Sequence, residues 1–261
     1  MIRDEGTRLV RRSTGLAVID RASDNGRPWA VFLSRAAALK ALTTLALFGA
    51  FAVVMSGAGA APLEDAELIG ASSNVAAYRI FAALDTLAWL GFGAILLGLS
   101  ALVGRAAPVR AACLAVLAAT MVVGMVGGYL RLTAATLLAT QYAAAGPDEQ
   151  ESILAMGRSL AAIIGAHFGL GQVLYGIAFV LIASRTASMP SFPRYLTYLV
   201  GVLGTYSLAN QLSVVFLGTL LWAPLFFVFL ILTVVMDIAV AATFWRRTSL
   251  GNVAVPSSPS P

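Results

Sequence analysis

Residues 80–103 read IFAALDTLAWLGFGAILLGLSALV and contain one ionisable side chain, Asp85. A hydrocarbon core needs about 20 apolar residues in helical form to be crossed. The stretch meets that length, so it is read as a transmembrane helix. Five further runs qualify: 41–60, 111–138 (with Arg131 inside it), 160–183, 195–216 and 220–244. The connection at 217–219 is very short, which predicts a tight hairpin between the fifth and sixth helices.

Composition agrees with that reading. Of 261 residues, 59% are apolar and 11% charged, and the mean hydropathy is +0.88. A soluble domain carries about 25% charged residues, and a disordered chain needs low hydrophobicity with high charge. Both classes are excluded. The expected fold is all-α: a polytopic integral membrane bundle of six helices at 36–247. It is flanked by a basic N-terminal tail at 1–35 and a Ser/Pro-rich, disordered C-terminal tail at 248–261. A short amphipathic piece is read around Thr14 to Asp20. The first apolar run comes too late, after too many charges, to be a signal peptide.

The net charge of +5 is read as topology rather than as nucleic-acid affinity. With the N-terminus inside, the inner segments 1–40, 104–110, 184–194 and 245–261 hold 8, 2, 2 and 2 basic residues, 14 of the 17. The outer segments hold Arg79 and Arg158 with Glu64, Asp65, Glu67, Asp148, Glu149 and Glu151. Cytoplasmic loops carry the Lys/Arg excess, so both termini are expected in the cytoplasm. Basic residues are Arg throughout except Lys40 and the chain is rich in Ala, which points to a GC-rich bacterial genome. The expected location is therefore the inner (plasma) membrane. Pro62 and Pro147 each precede acidic residues, a helix-start pattern because the first turn needs no N–H and favours negative charge. Each is expected to feed a transmembrane helix.

Ionisable groups within a span are costly and mark functional sites by default. Asp85, Arg131 and His167 each fall roughly 8–10 Å below the outer face at about 1.5 Å per residue. Asn210 reaches a similar level, with Tyr206 one turn below it. This layer of Asp85, Arg131, His167, Tyr206 and Asn210 is the candidate polar cluster, opening outward among helices two to five. The alternatives are an ion pair of Asp85 with Arg131, a snorkelling Arg131 and a hydrogen-bonded core His167. Asp237 is a separate candidate site at the inner mouth, with Tyr195 and Tyr198 as its expected donors. Gly124/Gly128 and Gly165/Gly169 form two GxxxG pairs, which allow close helix contact.

One cysteine, Cys113, makes no internal disulfide, and one histidine makes no His-rich metal site. The phosphate-loop, zinc-protease and serine-elbow motifs are missing from the sequence. No cofactor, metal or nucleic acid is expected, and no enzymatic activity. The expected partners are the bilayer and, at the basic tail, anionic lipid or a protein. Oligomeric state stays open.

Three segments carry a family resemblance: Tyr78-Arg-Ile-Phe-Ala-Ala-Leu-Asp85; Ala166-His-Phe-Gly-Leu-Gly171 with Ser191-Phe-Pro-Arg-Tyr-Leu196; and Met236-Asp-Ile-Ala-Val-Ala-Ala-Thr-Phe-Trp-Arg246. Over about residues 36–247 the chain resembles the six-span bacterial membrane proteins of domain-of-unknown-function family 4386. Asp237 stands where that family usually has Glu, and the long tail and Arg131 are departures. The resemblance implies the six-span fold and no particular activity. A transporter or ligand-binding protein and a structural or regulatory membrane protein are the two leading readings, with an intramembrane enzyme far behind.

Overall fold

The computed structural model describes residues 27–103, 108–187, 193–217 and 223–250. The N-terminal tail up to residue 26, with its amphipathic piece, and the C-terminal tail from residue 251 lie outside the described residues. Among the described residues the chain is helical, with no strand. The helices are α1 (Arg27–Gly57), α2 (Leu63–Ser73), α3 (Val75–Val103), α4 (Pro108–Thr120), α5 (Val122–Leu130), α6 (Thr136–Ala144), α7 (Pro147–Thr186), α8 (Arg194–Leu217) and α9 (Ala223–Leu250). A π-helical turn, Arg131–Ala135, joins α5 to α6.

Six stretches are long and apolar enough to cross a bilayer: Pro28–Gly57, Val75–Leu102, Pro108–Ala144, Pro147–Thr186, Arg194–Leu217 and Val228–Arg246. The protein is thus a multi-pass, all-helical membrane protein. Its outer surface is apolar, with Leu39, Leu42, Ile80, Val202 and Ile231 exposed. Such a surface is favourable against lipid and costly against water.

Several boundaries differ from the sequence expectation for physical reasons. The first helix begins at Arg27, inside the stretch read as tail, because Leu33 and Ala37 are fully buried and anchor its early turns. The acids after Pro62 do begin a helix, but α2 stops at Ser73 and does not run on into the membrane. Asn74 breaks it, and its side chain then accepts from the Ala77 N–H at 3.0 Å, capping α3. Gly59, at φ +59°, turns the chain between α1 and α2. The acids after Pro147 feed α7 directly, as expected.

Around the bundle, α1 packs between α3 and α9, α3 against α4 and α5, α5 against α7, and α7 against α8. The sixth span thus lies more on α1 than on its sequence neighbour α8. Polar bonds explain this choice: Ser34 donates to the Ala241 carbonyl at 2.9 Å, and Lys40 binds Asp237. The larger core centres on Trp89, Tyr175, Phe179 and Phe229. A smaller one, around Val54, Tyr78, Phe81 and Ala139, lies under α2.

Close packing needs glycine where α3 meets α5. A Cβ at Gly124 would lie 2.2 Å from the Trp89 ring, and one at Gly128 would lie 2.4 Å from Thr86 Oγ1. The first GxxxG pair is therefore the seam between α3 and α5. The second pair is different. A Cβ at Gly165 would meet nothing within 4 Å.

Candidate functional site: a charged cluster between two cavities

Asp85 is placed by α3, about ten residues in from its start, with its face toward α5. Arg131 arrives from the third span at the first residue of the π turn. In that turn the Thr136 N–H and hydroxyl both reach the Arg131 carbonyl, the hydroxyl at 3.0 Å. The extra residue per turn widens the helix locally. π turns of this kind recur at functional sites.

Arg131 Nη1 donates to Asp85 Oδ2 at 2.6 Å, and its Nε donates to Glu67 Oε1 at 3.0 Å. Tyr78 also donates its hydroxyl to Glu67 Oε1, at 2.8 Å. The guanidinium carbon lies 5.4 Å from the Phe81 ring centre. One guanidinium thus faces two carboxylates, and the cluster carries net negative charge. Both bonds to Glu67 fall on Oε1. Its Oε2 makes none among the described residues, and this side chain is the most exposed of the three, at 35%.

Glu67 is the member that the sequence reading missed. It was grouped with Glu64 and Asp65 as a helix-start acid. Yet α2 begins at Leu63, so Glu67 lies beyond the first turn, where the helix end no longer rewards a negative charge. Its position one turn inside a short helix was the available signal. Asp65 does something else again. It binds Arg158 through both oxygens, each at 2.8 Å, and pins α2 to α7. The Arg158 guanidinium holds the Asp65 carboxyl below the ordinary carboxylate range.

The expected layer is not one cluster. His167 is half-buried on α7, and its Nδ1 contacts the Ile163 carbonyl of its own helix at 2.8 Å. Asn210 is buried within α8, and Tyr206 packs its ring on Phe229 with centres 5.1 Å apart. Equal depth placed these side chains at one level, but their helix faces point elsewhere. Of the five, Asp85 and Arg131 meet.

Asp237 also differs from expectation. It is fully buried, and Lys40 Nζ binds its Oδ2 at 2.5 Å. Tyr195 bonds Thr243 instead, at 2.8 Å, and Tyr198 is exposed. Lys40, the chain's only lysine, was read as an inner flanking charge. It lies within the first span, completely buried, with its ammonium 3.6 Å from the centre of the Phe92 ring. A Cβ at Gly91 would come within 2.9 Å of the Lys40 stem, so glycine there gives the stem its passage. Among the described residues, Asp237 Oδ1 has no hydrogen-bond partner.

Two cavities flank the Arg131 cluster. A small one of about 90 Å³ lies toward α2 and is lined by Glu64, Asp65, Tyr78 and Arg158, among others. A larger one of about 630 Å³ lies among α1, α3, α7 and α9, with Phe48, Phe51, Phe81 and Phe168 on its walls. Glu67, Arg131 and Gly165 line both. The cluster is therefore a polar partition between a small vestibule, lined by both charged and apolar side chains, and an apolar chamber. Phe51 and Ile231 on the chamber wall are also exposed at the bundle surface, so the chamber opens sideways toward lipid.

No family model, curated protein or solved structure matches this chain.

Proposed function

We propose that this membrane protein binds a small amphiphile in the chamber among α1, α3, α7 and α9, and carries it between the bilayer and the vestibule under α2. The chamber's combination of size and lining carries this reading. Ligand pockets run to about 300–1,000 Å³, with mostly apolar walls and a few converging polar groups. The chamber has about 630 Å³, four phenylalanines and one charged end. Gly165 supports the reading as well, since a side chain there would enter open space instead of a packed interface.

The Lys/Arg distribution supports termini in the cytoplasm and the vestibule on the outer side, in the plasma membrane of a bacterium. The likeness to family 4386 belongs to the same proposal. The reading is one of binding and passage, not catalysis, because Asp85, Arg131 and Tyr78 are all committed to one another or to Glu67.

A stability screen of small amphiphiles on the detergent-purified protein tests the reading. Compounds that raise the melting temperature of the wild type are expected to lose that effect on Gly165→Leu, which puts a side chain into the chamber. A screen in which no compound separates the two proteins contradicts it. The pairing of Arg131 by two carboxylates favours a second reading, a compact bundle that acts through partners or lipid at its tail. Deleting residues 1–26 then abolishes association with anionic vesicles and leaves the melting temperature unchanged.

A further inference from the structure

Charge complementarity narrows the ligand. This step rests on the binding reading above and names its substrate class. We propose that the chamber selects a lipophilic organic cation, with its charge held at Glu67 and its apolar groups against the phenylalanines.

Three observations converge on that class. First, the charged groups that face the chamber are Glu67, Asp85 and Arg131, so its polar end is net negative. An anion there would lie beside two carboxylates, which already hold Arg131 at 2.6 Å (Asp85) and 3.0 Å (Glu67). A cation displaces nothing. Second, Glu67 Oε2 is a carboxylate oxygen without a bond among the described residues, and it lies on the most exposed side chain of the three. It is the acceptor that a cationic or N–H group can reach. Third, the wall of the chamber that Glu67 also lines is aromatic. Phe51 and Phe81 lie with ring centres 5.4 Å apart, and ring faces attract cations in dehydrated sites. Lys40, the other cation buried in this half of the bundle, is already held by Asp237 and does not line the chamber.

Lateral opening toward lipid sets the other half of the specificity. A ligand that enters past Phe51 and Ile231 must partition into the bilayer first. A strongly hydrated ion such as an alkali metal does not take that route. A bulky cation with its charge spread under apolar groups does.

Tetraphenylphosphonium and tetraphenylborate are the probes, because they share one shape and differ in the sign of the charge. Equilibrium dialysis on the full chain in neutral detergent gives their affinities. Tetraphenylphosphonium is expected to bind saturably and about tenfold or more tightly than the borate, as a close unlike charge in a partly dehydrated site requires. Glu67→Gln is expected to weaken the phosphonium by about tenfold and to leave or improve the borate. Gly165→Leu is expected to abolish binding of both. Circular dichroism and gel filtration establish that each variant is folded, and Gly165→Leu leaves every charge in place should Glu67→Gln fail to fold.

Equal or tighter binding of the borate, lost in Gly165→Leu, overturns the cation class and leaves the chamber reading standing. Saturable binding of neither probe overturns both. Phosphonium binding that neither variant alters overturns the assignment to this chamber and indicates partition into detergent or lipid.

Discussion

Removing one partner of the Lys40–Asp237 pair should destabilise the bundle far more than removing both. Both side chains are completely buried and joined at 2.5 Å, deep in the first and sixth spans. Breaking a buried pair costs about 3–5 kcal/mol, because an uncompensated charge remains, whereas replacing both partners by apolar groups is often neutral or stabilising. Lys40→Met keeps the unbranched stem that passes Gly91. Asp237→Leu keeps the branched shape. Lys40→Met also removes the cation from the Phe92 ring, worth about 2 kcal/mol when desolvated. Asp237→Leu removes an oxygen, Oδ1, that had no partner. Lys40→Met is therefore expected to be the costlier single variant. The double variant should return to within about 1–2 kcal/mol of wild type, so that the coupling energy is about 3 kcal/mol or more. Unfolding by sodium dodecyl sulfate, followed by circular dichroism in mixed micelles, measures all four proteins. Additive single effects, or single variants within about 0.5 kcal/mol of wild type, contradict a buried, coupled pair.

Two further outcomes follow from other contacts. Gly124→Ala places a methyl group 2.2 Å from the Trp89 ring and should cost about 1–3 kcal/mol by overpacking, while Gly165→Ala at the matching place in the second GxxxG pair should cost nothing, both read by the same unfolding assay. Docking of α2 through Asp65 should persist from neutral pH down to about 4 and fail below it, because a carboxyl held below its ordinary value stabilises above that value and is lost as pH falls through the lowered one. Hydrogen exchange over residues 63–73, corrected for intrinsic rates, reports this. Asp65→Asn should give a weaker protection with a shallower acid profile, and an unchanged acid profile in that variant contradicts the assignment.

Sequence legibility followed physical range. Spans were legible because the bilayer imposes a length and a polarity on each helix by itself. The Asp85–Arg131 pairing was also within reach, since two opposite charges in neighbouring spans at one depth have few other partners. Depth alone did not give direction, so His167, Tyr206 and Asn210 were grouped with side chains that they do not meet. Lys40 was misread for a related reason. A lysine at the edge of an apolar run looks like an interfacial anchor, and only the apolar face of residues 28–39 shows that the helix begins earlier. Its partner is 197 residues away, and nothing local announces it. The π turn at Arg131–Ala135 contains neither proline nor glycine, so no residue marked it. The two GxxxG pairs are identical as patterns and differ in their surroundings. A Cβ at Gly124 would meet Trp89 and one at Gly128 would meet Thr86, whereas a Cβ at Gly165 would meet nothing within 4 Å and one at Gly169 would lie 3.0 Å from Gln211 Oε1, and only the neighbouring helices decide this.

Gly165 lines the chamber beside the Arg131 cluster, with open space where a side chain would stand. Cys113 is the chain's only cysteine, so Cys113→Ser gives a background without thiols. In it, Gly165→Cys should react with methanethiosulfonate ethylammonium, a small cationic thiol reagent, in proteoliposomes and in detergent alike. A cysteine at Gly124, set against the Trp89 ring, should not react. Equal silence at both positions, with the protein folded, contradicts the chamber and with it the proposed binding function.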